Sequence, residues 1–539
     1  MATETETTEG ETGTAAEEPA PAAPPASGQQ GGGQQGGGQQ GGEQPGGEQP
    51  AQEQGAREEP NALARLRAAA RTLATRDHWT TPRLVRGLTA LSLATLLGLA
   101  ATATAVLGGA HDGTDTIGHR AAPQATRAAD LYFALSDMDA QAANLLLIGS
   151  DPDYTDLRRQ TLDTYEKRRA QADDDLQQAA QADAGDPDGR RAVQLVLGQL
   201  GSYEAMVARA ELLEEQAKSP AGRPSADALE AYRGATDLLR QQLLPSADKV
   251  TAANAATVER VYHEQRDSLG SGFWWLLAVG GLSLAALVGL QRALAVRYRR
   301  SVNPALVAVT LFTAAALVTG LSLVGRAEDH LVTAKSNAYD SVLALSRARA
   351  LAFDMNADES RYLSDPGRAA AYEQSYLDKS QAIVRLDGAD LAAYDLRLAQ
   401  AVDRHRAERA VVPFGGYLGS ELNNITFPGE REGAERVLAT FQQYQATDRK
   451  IRELRAAGKL KEAVTLNTGL APGQSNYDFA QLDSAIEDTI RINATAMDTA
   501  VAATDDDLDA TTAGLGAAVL AAALALTVLG VRPRLREYR

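Results

Sequence analysis

The chain reads as an all-α integral membrane protein with four transmembrane helices and two tandem extracellular four-helix bundles. Three observations predict this. Four stretches are long, apolar and free of charge. The two long segments between them place apolar residues at mixed steps of three and four, while strand alternation and hairpin turns are scarce. The tripeptide Ser-Asp-Pro recurs, at Ser150–Pro152 and Ser364–Pro366, each time between an apolar helix-like stretch and a polar one.

Residues 1–60 hold Glu, Gln, Gly and Pro with almost no large apolar side chain, so this tail is expected to be disordered and cytoplasmic. Residues 61–86 follow. Leu63, Leu66, Ala70 and Leu73 share one face there and arginines occupy the others, which suits a basic helix lying on the inner leaflet.

The four apolar runs are 87–109, 272–290, 302–325 and 511–531. A helix needs ~20 residues to cross a bilayer core. A buried core helix is the alternative, and the fourfold recurrence and asymmetric flanks count against it. Arginines crowd ahead of the first run (Arg65, Arg67, Arg71, Arg76, Arg83, Arg86), fill the short loop 291–301 (Arg292, Arg297, Arg299, Arg300) and occupy the tail 532–539 (Arg532, Arg534, Arg536, Arg539). The positive-inside rule puts all three clusters in the cytoplasm without conflict, with both termini inside. Trp274 and Trp275 then fall at the outer interface and Tyr298 near the inner one.

Two external segments remain, 110–271 and 326–510. The first carries 27 acidic and 17 basic residues from His111 onward and the second 30 and 21, so both are net negative. In each, Pro at a helical first turn and a capping Ser or Asp make Ser-Asp-Pro a corner between helices. Beyond the corners lie Ala-rich polar segments, Leu157–Ala182 and Ala369–Leu386. Further on, Val196-Leu197 and Val437-Leu438 begin matching stretches in which Tyr203 corresponds to Tyr444. A long helix closes each unit, near Ala226–Leu269 and Asn476–Leu508, and is expected to run into the next span. The order predicts tandem duplication of one unit. Chance likeness between Ala-rich helices is the alternative.

The segment 411–432 has no counterpart in the first unit. With two prolines, a glycine pair and three aromatic side chains, it is not expected to form a regular helix. Apolar side chains in a loop on a water-facing domain are the makings of a contact surface. Phe414, Tyr417, Asn423, Asn424, Phe427 and Arg431 are therefore partner-binding candidates, with stapling of the loop onto its own bundle as the other reading. Arg347 and Arg349 are candidates for a carboxylate ligand, since guanidinium forks suit carboxylates, or else ordinary salt-bridge partners. In the spans, Gly281, Ala285 and Gly289 of the second and Ala517, Ala521 and Ala525 of the fourth offer close packing within the chain or between copies, so a homo-oligomer is open.

Nothing points to catalysis. Phosphate loops, His-Glu-x-x-His pairs and nucleophile elbows are missing from the sequence, which has no cysteine and six scattered histidines. No enzyme activity, no cofactor and no metal are expected. A net charge of −17 argues against nucleic acid.

A four-helix bundle between two membrane helices is similar to the sensor modules of bacterial chemoreceptors and histidine kinases. With two such units, no output domain and the segment "ELNNITFPGE" (Glu421–Glu430), the chain resembles the GlnX-type membrane proteins of high-GC Gram-positive bacteria. The resemblance covers the four spans and both external segments, not the N-terminal tail. It implies a signal received from an extracellular amino-acid-binding lipoprotein and relayed to a cytoplasmic serine/threonine kinase. The expected function is a non-enzymatic transmembrane sensor and relay. The alternative is a structural or scaffold protein of the cell envelope. A transporter comes third, because the spans carry no charge.

Overall fold

The computed structural model describes residues 81–182, 187–298 and 303–536. The tail 1–60, most of the basic segment 61–86, Arg299 and Arg300 lie outside the described residues.

Three helical runs are unbroken from a candidate span to the far end of the head. The first joins α1 (Thr81–Asp115), a π-helical turn (Thr116–Ala121) and α2 (Ala122–Ile148). After α3 (Thr155–Ala182) and α4 (Pro187–Ala217), the second joins α5 (Ala226–Leu238), a π turn (Leu239–Leu243) and α6 (Leu244–Tyr298). The third joins α7 (Pro304–Val332), a π turn (Thr333–Tyr339) and α8 (Asp340–Ser364). Then follow α9 (Ala369–Ile383), α10 (Tyr394–Ala407), α11 (Gly416–Asn423), α12 (Glu430–Ala456), α13 (Leu460–Thr468), α14 (Ser475–Asp507) and α15 (Ala510–Arg536). Among the described residues there is no strand, only an isolated bridge between Arg385 and Gly415.

Both Ser-Asp-Pro corners are built alike. Each is a single 3-10 turn, Pro152–Tyr154 and Pro366–Arg368. The aspartate side chain accepts from the backbone N–H two residues on, Asp151 from Asp153 at 3.0 Å and Asp365 from Gly367 at 3.1 Å. The proline supplies the fixed φ and lacks only an N–H that would go unbonded. Tyr203 on α4 and Tyr444 on α12 are both fully buried.

The structure departs from the sequence reading in four places. The closing helix of the second unit does not run into the last span: α14 stops at Asp507, and Asp509 caps α15 through the Thr512 N–H at 2.8 Å. Beside its four long helices, the second unit carries three short ones, α10, α11 and α13. One of them, α11, lies inside 411–432, where no regular helix is expected. It starts at Gly416, whose φ is 81° and where a Cβ would meet two backbone carbonyl oxygens at 2.7 Å, so only glycine fits. Finally, Gly281 and Gly289 face open space, so they do not pack the spans within the chain. Close approaches between spans occur at Gly272, against Val106, and Gly280, against Leu317.

Among the described residues, four helices are long and apolar enough to cross a membrane. Large apolar side chains along them, including Trp274, Trp275, Leu311, Val318 and Leu515, are exposed. Such a surface needs an apolar cover, and on helices of this length a bilayer supplies it. The chain therefore reads as a multi-pass membrane protein. The spans are pinned at one end by polar bonds: Asn303 caps α7 and donates to the Gly530 carbonyl at 2.8 Å, and Gln291 donates to Thr310 at 2.6 Å.

The two units of the head are fused side by side. Helix α2 packs along α8, and the apolar cores interpenetrate. Ala357 of the second unit belongs to the first unit's core, and Phe133 of the first belongs to the second's. Phe133 meets Phe353 edge-on at 4.9 Å, and Phe353 meets Phe479 at 4.6 Å.

Candidate functional site

The seam between the units is built from charge as well as from apolar side chains. At its centre Arg361 on α8 is fully buried. Its guanidinium donates to the Tyr232 hydroxyl at 3.0 Å, to Asp354 at 3.2 Å, to Asp358 at 2.6 Å and to Asp139 across the seam. Asp139 also accepts from Tyr203 at 3.2 Å and Thr236 at 2.9 Å. Lys379 on α9 meets Asp354 at 2.6 Å and also pairs with Asp358. Burial works to raise the Asp354 carboxyl, but Lys379, Arg361 and Arg240 together hold it well below the usual carboxylate range. Further pairs cross the seam toward the tip. Arg233 forks onto Asp365 at 2.9 and 2.6 Å, and the Arg368 Nη1 donates to both carboxylate oxygens of Asp237 at 2.8 and 3.0 Å. Asp365 of the second Ser-Asp-Pro thus both caps its turn and bonds the neighbouring unit.

Nearer the spans, the segment 411–432, an insert without counterpart in the first unit, grips the third helical run. The Asn424 side-chain amide lies 3.1 and 3.0 Å from the Ser336 and Asn337 carbonyls and 3.0 Å from the Ser341 hydroxyl. Ser336 and Asn337 belong to the π turn, where the wider winding misaligns carbonyls and leaves them room for outside donors. Lys335 in the same turn pairs with Glu259 of α6 and with Asp340 at 3.2 Å. The insert closes through Glu430, which accepts from the Thr426 and Phe427 N–H groups at 2.6 and 2.9 Å. Beside it, burial pushes the Glu421 carboxyl up to about 7, with Glu430 adding to the rise and the Ser341 and Asn493 side chains opposing it.

Residues 113–263 match the family model described as an actinobacterial sensor domain. The match runs from the end of α1 through α5 into α6 as far as His263, most of the first unit of the head. It supports a sensor domain of the actinobacterial kind and a sensing role. Neither the curated proteins nor the solved structures returned a match.

The predicted site residues separate in the fold. Phe414 is buried in the second unit's core, and Tyr417 is half-buried against it. Asn423 only bonds back to Gly419 at 2.7 Å within α11. Asn424 grips the π turn as described. Phe427 is half-buried and, with exposed Pro428, lines an open groove of about 770 Å³ along α14. Arg431 is half-buried on the first turn of α12. Arg349 is a structural fork, bound to Asp483 at 2.5 and 3.0 Å and lying 4.3 Å over the Phe133 ring. Arg347 differs: it lines a cavity of about 470 Å³ in the seam.

Arg361 and its carboxylates were not among the sequence candidates, yet a signal for them exists. Asp137-Met138-Asp139-Ala140 on α2 and Asp354-Met355-Asn356-Ala357 on α8 repeat one pattern, and all eight side chains are buried. An acidic residue repeated beside a buried methionine on an apolar helix marks a buried charge that must have a partner.

Proposed function

We propose that this chain is a non-enzymatic transmembrane sensor and relay whose head faces outward and whose two termini lie in the cytoplasm. The observation that carries the reading is continuity. Three helical runs, Arg83–Ile148, Ala226–Arg297 and Pro304–Ser364, extend without a break from a candidate span into the charged seam. A shift of one unit against the other at the seam moves the far ends of those spans, since an intact helix transmits displacement along its axis. The π turns, one in each run, are places where such a shift is absorbed or passed on. The sensor-domain match and the arginine-rich ends of the spans support the same reading. The repeated corner, the matched π turns in α1–α2 and α7–α8 and the paired buried tyrosines favour an origin by tandem duplication.

The partners follow from the resemblance: an amino-acid-binding lipoprotein outside and a serine/threonine kinase inside. The groove beside Phe427 and Pro428, with Arg436, Asp488 and Arg491 along its rim, suits docking of the lipoprotein.

Cysteine labelling tests the orientation, because the chain has no thiol of its own. Cysteines replacing the exposed Ser202 and Ser420 should react with an impermeant reagent in intact cells, and one replacing Ser301 should not. Labelling at Ser301 alone overturns the topology. Affinity capture of the full chain from membranes should bring down a solute-binding lipoprotein and a kinase, with Phe427→Ala losing the lipoprotein. Recovery of cell-wall assembly proteins in their place would favour the scaffold.

A further inference from the structure

The cavity in the seam is walled by both units. From the first come Tyr132, Asp248 and Arg240, the last within the π turn Leu239–Leu243. From the second come Arg347, Lys379 and the carboxylate Asp354, whose charge Lys379 already answers at 2.6 Å. At about 470 Å³ it lies within the ~300–1,000 Å³ of small-molecule sites.

Most cations of the seam are committed to close partners: Arg361, Arg233, Arg368 and Lys379 each sit within 2.8 Å of a carboxylate oxygen. Arg240 and Arg347 are not. Their nearest carboxylates are Asp358 at 3.7 Å and Asp248 at 3.6 Å, well beyond the ~2.7–2.9 Å of a charge-assisted hydrogen bond. Arg240 donates to the Ser375 hydroxyl at 2.5 Å and acts on Asp354 and Asp358 only at longer range. The Arg347 Nε is buried with no acceptor. A buried guanidinium N–H without an acceptor is costly, so an acceptor from outside is favoured there. Asp248, itself more than half exposed, is free to swing to solvent.

We infer that this cleft binds a small organic dicarboxylate, one carboxylate on Arg240 of the first unit and the other on Arg347 of the second. Leu244 and Leu351, also in the lining, offer apolar contact to a short hydrocarbon spacer. A monocarboxylate answers only one of the two forks. The bridge joins helices leading to two different spans, α6 to the second and α8 through α7 to the third, so it favours whichever packing of the seam brings the two arginines closest. The inference needs only the cleft. Its failure leaves the partner reading intact, and loss of the partners leaves the cleft intact.

Isothermal titration of the full-length chain in lipid nanodiscs tests it, with succinate as probe and succinamide as the uncharged isostere. Succinate should give saturable heat and succinamide none. Arg347→Gln and Arg240→Gln should each weaken succinate about tenfold or more through loss of one fork. Arg406→Gln, on the exposed face of α10, should change nothing. Far-UV circular dichroism checks folding. Arg347 is at the cavity edge with only a loose pair, so that variant reads out even if Arg240→Gln unfolds. The proposal is overturned if succinate, glutarate and citrate all give no saturable heat. It is equally overturned if Arg347→Gln binds succinate as the parent does, or if inorganic phosphate binds as tightly as succinate.

Discussion

Replacing Arg361 by Met removes the cation that reaches Asp139 across the seam. The cost follows from what is left behind. Asp354 and Asp358 keep Lys379 and, at 3.7 Å from Asp358, Arg240, so two cations remain for two carboxylates. Asp139, 1% exposed, keeps only the Tyr203 and Thr236 hydroxyls. One buried carboxylate without its counter-charge costs about 3–5 kcal/mol. A head of this size loses roughly 2–4 °C in Tm per kcal/mol, so a fall on the order of 10 °C is expected. Urea titration of the full chain in nanodiscs, followed by far-UV circular dichroism, measures the free energy directly. The double variant Arg361→Met/Asp139→Asn should recover a large part of the loss, because the orphaned charge is gone. A single variant within about 1 kcal/mol of the parent, or a double no better than the single, refutes the argument that the seam is held by this charge.

Glu421 makes part of the stability pH-dependent. Its carboxyl titrates near 7 in the fold, above its ordinary 4.5, so its contribution is full below pH 4.5 and is lost as pH rises to 7. The interval of 7 − 4.5 = 2.5 units corresponds to about 3 kcal/mol. Glu421→Gln should therefore come close to the parent at pH 4 and exceed it at pH 8 in urea midpoint; an equal difference at both would dismiss the buried-acid account. Asn424→Ala should cost about 1–2 kcal/mol by stripping donors from the π turn. The effect should appear as faster amide exchange over 333–341 with overall helicity kept, and unchanged exchange there would mean the insert does not brace the turn.

Some of this protein is settled locally, and that part is legible in sequence. The four spans are legible because hydrophobic transfer is additive over a window of ~20 residues and needs no partner. Both Ser-Asp-Pro corners are legible because a proline's φ and an aspartate's reach to the next N–H are properties of three residues in a row. Tyr203 and Tyr444 were placed as equivalents by spacing alone, and both are buried. What the tertiary structure decided depends on residues far apart in the chain. Asp139 and Arg361 are separated by 222 positions, and nothing in either helix names the other. Arg347 and Arg349 look interchangeable two residues apart, yet two positions turn a side chain by about 200° around a helix. One therefore meets Asp483 and the other opens on the cleft. Phe414, an apparent surface aromatic, is drawn inside because the short helix α11 folds back over α8 and α9. Two of the π turns stand just ahead of a proline, Pro123 and Pro245, whose missing N–H and ring disturb the carbonyl four residues back, inside the turn. The third, Thr333–Tyr339, has no proline near it, and the side chains that hold it, Asn424 and Glu259, come from far along the chain.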